Sequence, residues 1–302
     1  MEGMLHLPDD RVRDLLPSPA EAVDLMRETL QALADGSASV APKSQVSAHG
    51  TGFANAMPAA WPERGLLGVK WVAIMKDNPA QGLPIISGLM VLSDAQTGAV
   101  RCTMDAAELT ALRTAAVTGA SIALDDRRAV FLGTGVQARS HARVLAAIGR
   151  KRLTVWGRRP EALAELAEWA SREVPGLHLE TTTDRDAAVR GAGVVISGLP
   201  IGLHGSELDP SLACDDATYL PIDYASVAGA AVARGATVAA DDPEQFEALR
   251  PDKLSEDYPR ASTATGALLR DGRPAERVVV QNLGSGLGDV MLADAVARAV
   301  GV

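Results

Sequence analysis

Cysteine is nearly absent: Cys102 and Cys214 are the only two in a chain of 302 residues. They stand far apart, with no CxxC and no Cys/His ligand spacing, which excludes a disulfide framework and leaves no zinc motif. A reducing compartment suits such a chain. Excess positive charge is also lacking. The formal charge is −9, so no polybasic surface is available for phosphate backbones and nucleic acid is not expected as a partner. No apolar run approaches the roughly 20 residues of a membrane-spanning helix. At the N-terminus, Asp9, Asp10, Arg11, Arg13 and Asp14 interrupt the chain before the apolar core of a signal peptide could form. The five histidines, His6, His49, His141, His178 and His204, show no metal spacing. The expectation is a soluble cytoplasmic protein with no membrane partner and no metal.

What is present is Ala, Val, Leu and Gly in abundance, over a length sufficient for two domains. Ser18-Pro19-Ala20-Glu21 predicts a helix start, with Ser18 as cap, Pro19 at the first helical position and Glu21 closing a capping box; Gly36 predicts its end. From Val40 to about Val100 the chain is strand-like and broken by turn residues, which suits an antiparallel sheet. A helix is predicted from about Asp105 to Leu124. From Arg128 short, uniformly apolar strands alternate with helices: Ala129–Leu132, Leu153–Trp156, 193–196, 218–222 and 236–239. That pattern predicts a parallel sheet covered on both faces. Arg277–Gln281 reads as a further strand and Asp289–Val300 as an amphipathic helix, while Met90 and Met104 read as core.

The most specific motif is Val130-Phe-Leu-Gly133-Thr134-Gly135-Val136-Gln137-Ala138, a strand running into a GxGxxA turn that opens a helix. Gly133 suits the tight turn, Gly135 lets the backbone approach a pyrophosphate, and Ala138 allows helix to pack on strand. The helix start offers N–H groups to the phosphates. A second strand follows at the spacing a dinucleotide fold needs. Its end reads Val155-Trp156-Gly157-Arg158-Arg159, without the carboxylate that would accept the ribose 2′-hydroxyl of NAD. Two guanidiniums suit a 2′-phosphate, so NADP(H) is favoured with NAD(H) possible; the alternative is two solvated arginines. Gly284-Ser-Gly286-Leu-Gly288 lacks a following strand and reads as a turn lining a site.

Read in order, Gly68-Val-Lys70-Trp71, Leu109-Thr-Ala-Leu-Arg113-Thr114-Ala-Ala and Gly133-Thr-Gly-Val-Gln137 resemble the ornithine cyclodeaminase/mu-crystallin family over nearly the whole chain. The resemblance implies an α/β protein in which a Rossmann dinucleotide-binding domain is inserted into an α+β substrate and dimerisation domain. The expected boundaries are 1–124 for the substrate domain, 125–276 for the Rossmann domain, and 277–302 for a strand and helix returning to the first. A homodimer is implied.

The resemblance makes Lys70 and Asp223 the expected catalytic residues, and Arg113 the holder of a substrate carboxylate. Leu283 joins them on the substrate side. Thr114, Gly133, Thr134, Gly135, Val136, Gln137, Arg158, Arg159, Gly198, Leu199 and Asn282 are expected around the cofactor. Independently, a lysine between Val69 and Trp71 in an apolar strand should be poorly hydrated, which lowers its pKa; the alternative is a lysine reaching solvent. An Asp at the carboxyl end of a Rossmann strand lies where a proton donor is useful; the alternative is a helix cap.

This chain departs from the family's pattern in places. Lys43 stands where the family commonly has an arginine on the carboxylate. Tyr224-Ala-Ser-Val-Ala-Gly229 replaces a segment that usually carries a lysine and a glutamate, and Asn282-Leu283-Gly284 replaces a more usual Lys/Ser-Thr/Leu-Gly. The activity expected is NADPH-dependent reduction of a small imine or ketimine, or the reverse amino-acid dehydrogenation. The alternatives are an NAD-dependent cyclodeaminase that releases ammonia, and a nonenzymatic ligand-binding protein.

Overall fold

The capping box at Ser18 forms: its Oγ accepts from the Glu21 N–H, and the Ser18 N–H donates to Glu21 Oε2 at 2.9 Å. The computed structural model describes residues 4–122, 126–201, 203 and 205–302. The expected helix end at Leu124, the boundary 124/125 and His204 lie outside the described residues. By contacts the chain divides into two units, one made of the residues up to Arg113 together with Gly284–Val302, the other of Thr114–Leu283. The second is thus an insertion in the sequence of the first.

The elements run β1 (His6–Leu7), α1 (Asp9–Leu15), α2 (Pro19–Asp35), β2 (Ser39–Val40), β3 (Ser44–Ser47), β4 (Phe53–Trp61), β5 (Leu66–Ile74), β6 (Ile86–Asp94), β7 (Val100–Asp105) and α3 (Ala107–Ser121). They continue as β8 (Ala129–Leu132), α4 (Val136–Ala147), β9 (Arg152–Trp156), α5 (Pro160–Glu173), β10 (His178–Thr182), α6 (Arg185–Val189), β11 (Val194–Ser197), β12 (Thr218–Pro221) and α7 (Ala230–Ala233). The last are β13 (Thr237–Ala240), α8 (Pro243–Lys253), β14 (Thr263–Ala264), α9 (Thr265–Asp271), β15 (Val278–Gln281) and α10 (Gly286–Ala299).

In the first unit the sheet has the order β1-β7-β6-β5-β4-β2, with β3 on β4. Strands β2 to β7 pair antiparallel, and β1 joins β7 in parallel. Strand β5 alternates as a sheet with one packed face requires: Leu66, Gly68, Lys70 and Val72 are buried while Leu67 and Trp71 are exposed. α10 packs on β4 and β5. The expected amphipathic helix 289–300 differs in two respects. It begins at Gly286, and 11 of its 14 residues are buried, so it is a central core helix rather than a surface one.

The second unit is an eight-stranded parallel sheet ordered β10-β9-β8-β11-β12-β15-β13-β14. The strands carry apolar residues on both faces. Ala129 and Phe131 of β8 join one core with Ile196, Leu153 and Val280, and Val130 and Leu132 join the other with Val195, Tyr219 and Val279. This is the Rossmann-type order, in which the connection reverses direction between β8 and β11, and ligands sit at the carboxyl ends of strands at such a point. Among the described residues no helix is long and apolar enough to cross a membrane, and no cluster of three or more His, Cys, Asp or Glu could hold a metal.

Candidate active site

Strand alternation turns Lys70 into the core of the first unit, where it is 1% exposed. Its Nζ donates to Asp289 Oδ1 at 2.7 Å and to Thr110 Oγ1 at 3.3 Å. Arg113, one turn along α3 from Thr110, donates through Nε to the same Asp289 oxygen at 3.2 Å. Burial is the main force pushing the Lys70 ammonium down to about 7, aided by the charges of Arg113 and Lys43 and opposed by Asp289. At Asp289 burial works upward, but the two cations and their hydrogen bonds outweigh it and hold the carboxyl below its usual range. Lys43 lies just ahead of the exposed strand β3 and is itself partly buried. The expected residues Lys70 and Arg113 are therefore brought together, and Lys43 is near enough for its charge to act on Lys70.

Asp289 is absent from the site residues expected from the sequence. Its signal is there: a carboxylate inside Gly286-Leu-Gly-Asp289-Val-Met-Leu-Ala, an otherwise apolar helix start, demands a buried partner.

In the second unit β8 runs into the glycine turn. Gly133 has φ +130°, and a Cβ there would lie 2.8 Å from the Gly198 carbonyl oxygen, at the end of neighbouring β11. Only glycine sits comfortably at such a φ. Gly135 caps α4 without any side-chain cap bond, and a Cβ on it would project into open space. The helix start is thus open, and its first-turn N–H groups would suit the charge of a pyrophosphate. A side chain on Gly157, at the end of β9, would collide with Thr134. Val136, Arg158 and Arg159 are exposed and Gln137 is partly buried.

Asp223 follows β12 and is 1% exposed. It caps no helix. Ser197 Oγ donates to its Oδ1 and the Leu199 N–H to its Oδ2, each at 2.9 Å. Burial pushes the Asp223 carboxyl up to about 6, against the two hydrogen bonds, which favour the ionised form. The next residue, Tyr224, has φ +63°, the only positive φ among the described non-glycine residues. Its carbonyl accepts from Gln281 Nε2 at 3.0 Å, and the same nitrogen reaches the Tyr258 hydroxyl at 2.8 Å. Such strain is held by surrounding structure and gathers at functional sites.

The remaining expected residues have structural ties. Asn282 Nδ2 donates to Ser121 Oγ at 2.8 Å, and Asn282 Oδ1 accepts from Thr265 at 3.4 Å. The Leu283 N–H donates to Asp241 Oδ1 at 3.1 Å, and Thr114 is buried in α3 with its carbonyl accepting from Thr118.

A family model described as the ornithine cyclodeaminase/mu-crystallin family matches residues 9–201. The chain belongs to this family. Among similar proteins, a nodulation efficiency protein of Rhizobium meliloti is 27% identical over 292 residues, covering 92% of this chain and 89% of that protein. A Δ1-pyrroline-2-carboxylate reductase of Paracoccus denitrificans is 33% identical over 147 residues, 46% of this chain and 45% of the reductase. Among solved structures, the Δ1-pyrroline-2-carboxylate reductase of Thermococcus litoralis, in complex with NADH and L-proline, superposes with a TM-score of 0.84 at 20% identity. That match covers 98% of this chain and 97% of the other. The ornithine cyclodeaminase/mu-crystallin fold is thus the fold of this chain.

Proposed function

We propose that the chain reduces a small imine or ketimine bearing a carboxylate, of the Δ1-pyrroline-2-carboxylate type, to the corresponding amino acid, and runs the reverse dehydrogenation. The observation that carries this reading is Asp223. It is a buried carboxyl at the end of a Rossmann strand, held by two hydrogen bonds and titrating near 6, where it can hold a proton and release it.

When bound, NADPH would supply the hydride for the carbon of the C=N bond. Asp223 gives its proton to the nitrogen as that carbon accepts the hydride, so the imine gains one hydride and one proton and becomes the amine. Lys70 holds and polarises the substrate, and Arg113 with Lys43 clamps its carboxylate through charge-assisted hydrogen bonds. The glycine turn Gly133–Gly135 and the start of α4 would take the pyrophosphate, with Thr114, Thr134, Val136, Gln137, Gly198, Leu199 and Asn282 around the cofactor and Leu283 on the substrate side. Supporting NADP(H) over NAD(H), the end of β9 offers two exposed guanidiniums and no carboxylate.

A homodimer is part of this reading. Leu67 and Trp71 of β5 and Leu89 of β6 are 37%, 45% and 37% exposed on the outward face of the first unit's sheet, with Trp71 directly opposite Leu89. Water is a poor neighbour for such a face, and a second copy suits it.

The test is spectrophotometric. With NADPH and Δ1-pyrroline-2-carboxylate, loss of the reduced-nicotinamide absorbance is expected. Release of ammonia from ornithine with no net absorbance change would replace this reading by the cyclodeaminase one.

A further inference from the structure

We propose that Asp289 is a positioning residue for the Lys70–Arg113 cation pair, seated by the glycines of Gly284-Ser285-Gly286-Leu287-Gly288. The proposal deepens the imine-reductase reading and rests on it.

The glycines act by close approach. A Cβ on Gly284, whose φ is +76°, would lie 2.6 Å from an Arg113 guanidinium nitrogen, and one on Gly288 would lie 3.2 Å from Arg113 Cγ and 2.9 Å from Met26 Sδ. A Cβ on Gly286 would strike the Met57 carbonyl oxygen of β4. Side chains at these positions would hold α10 away from β4 and from Arg113. With glycines the helix start comes down onto both, and the first charged residue after the motif arrives between Lys70 and Arg113.

The hydrogen-bond pattern is not that of a closed structural ion pair. A buried pair offsets its desolvation when both carboxylate oxygens are satisfied. Here Lys70 and Arg113 share Oδ1, while Oδ2 is buried with no hydrogen-bond partner among the described residues. An unsatisfied buried acceptor is costly, and such costs are tolerated where a group has a functional task. The task open to Asp289 is electrostatic. Among the groups facing Lys70, Arg113 from α3 and Lys43 from the segment before β3 disfavour its charge, Thr110 is neutral, and Asp289 from α10 alone favours it. Asp289 thereby keeps a proton on a fully buried lysine and aims the Arg113 fork. It does this without needing to touch substrate.

The test uses the full chain saturated with NADP+ and pyrrole-2-carboxylate, a planar and unreactive mimic of a cyclic imino acid, titrated by calorimetry from pH 5.5 to 9. In the unmutated protein, affinity should fall as pH rises through about 7, the value to which Lys70 is pushed. Asp289→Asn keeps an oxygen for the two donors and removes the charge. It should bind the mimic at least about tenfold more weakly at pH 7.5, with the break moved down by about one pH unit, so that acid restores most of the loss. Its affinity for NADP+ should be unchanged.

Equal weakening at every pH, or no weakening, would reduce Asp289 to a structural residue and overturn the proposal. If Asp289→Asn does not fold, the unmutated titration decides: a break near 7 supports the proposal, and no break below pH 9 overturns it. Failure of the unmutated chain to bind the mimic at any pH would overturn the imine-reductase reading as well, which separates the two failures.

Discussion

The Leu199 N–H points at Asp223 Oδ2 across 2.9 Å, tying the end of β11 to the residue that follows β12. Together with Ser197 this bond fixes the carboxyl in one orientation while burial keeps its proton near 6. Asp223→Asn preserves the ties, since the amide oxygen can accept from Leu199 and the amide nitrogen can donate to Ser197. The melting temperature should therefore stay close to that of the parent while kcat falls about 10²–10⁴-fold, the usual contribution of a placed general acid.

The sign of the pH dependence follows. The folded carboxyl titrates near 6 rather than 3.8, so its acid form survives to higher pH than in the unfolded chain. Its stabilising contribution is fully present below 3.8 and is lost as pH rises through about 6. In the reduction direction kcat should drop about tenfold per pH unit above 6, a limb that pH–rate profiles would show in the parent and not in Asp223→Asn.

Arg158 and Arg159 are exposed just after β9, where the proposed cofactor would present its ribose 2′-substituent. Replacing both with Ala should raise KM for NADPH by at least about tenfold, as expected from losing charge-assisted bonds to phosphate, and leave KM for NADH within about twofold by the same reasoning. Equal changes for the two cofactors would mean the arginines are merely solvated.

Gln281 holds two partners at once, the carbonyl of strained Tyr224 and the Tyr258 hydroxyl. Gln281→Leu leaves both without it in a buried site. The cost should be about 1–3 kcal/mol by denaturant unfolding, with a fall in kcat as the backbone beside Asp223 relaxes. An unchanged kcat would separate Tyr224's strain from the chemistry.

Trp71 stands exposed beside Leu89 on an apolar sheet face. Trp71→Glu should leave the chain monomeric by light scattering where the proposed dimer is expected of the parent, because a charge on each copy would have to be buried unpaired. A parent that is itself monomeric would contradict the assembly.

Much of the fold and part of the site are legible in the amino-acid sequence. The glycine turn is readable because strand, turn and helix each need particular residues there, and Gly133 does adopt a φ that other residues avoid. Lys70 is readable because it falls on the same parity as Leu66 and Val72. Helix α1 is not, since Pro8 offers no capping side chain and only Val12 of the helix is buried. Strand β10 has a single partner and no fully buried residue, so it lacks the apolar signature of its neighbours. The glycine motif before α10 reads as a turn because GxGxG fits a turn and a close helix contact equally well. Asp289 is hidden with it, its role depending on β5 and α3, more than 170 residues away in the chain. The change of unit inside α3 carries no linker composition to betray it.

The most direct measurement is isotopic. With NADPH deuterated at the transferring position and Δ1-pyrroline-2-carboxylate as substrate, mass spectrometry should find one deuterium on the α-carbon of the proline formed, in step with NADPH consumed. Product without deuterium, or ammonia released from an amino acid with NADPH unconsumed, would contradict imine reduction by this chain.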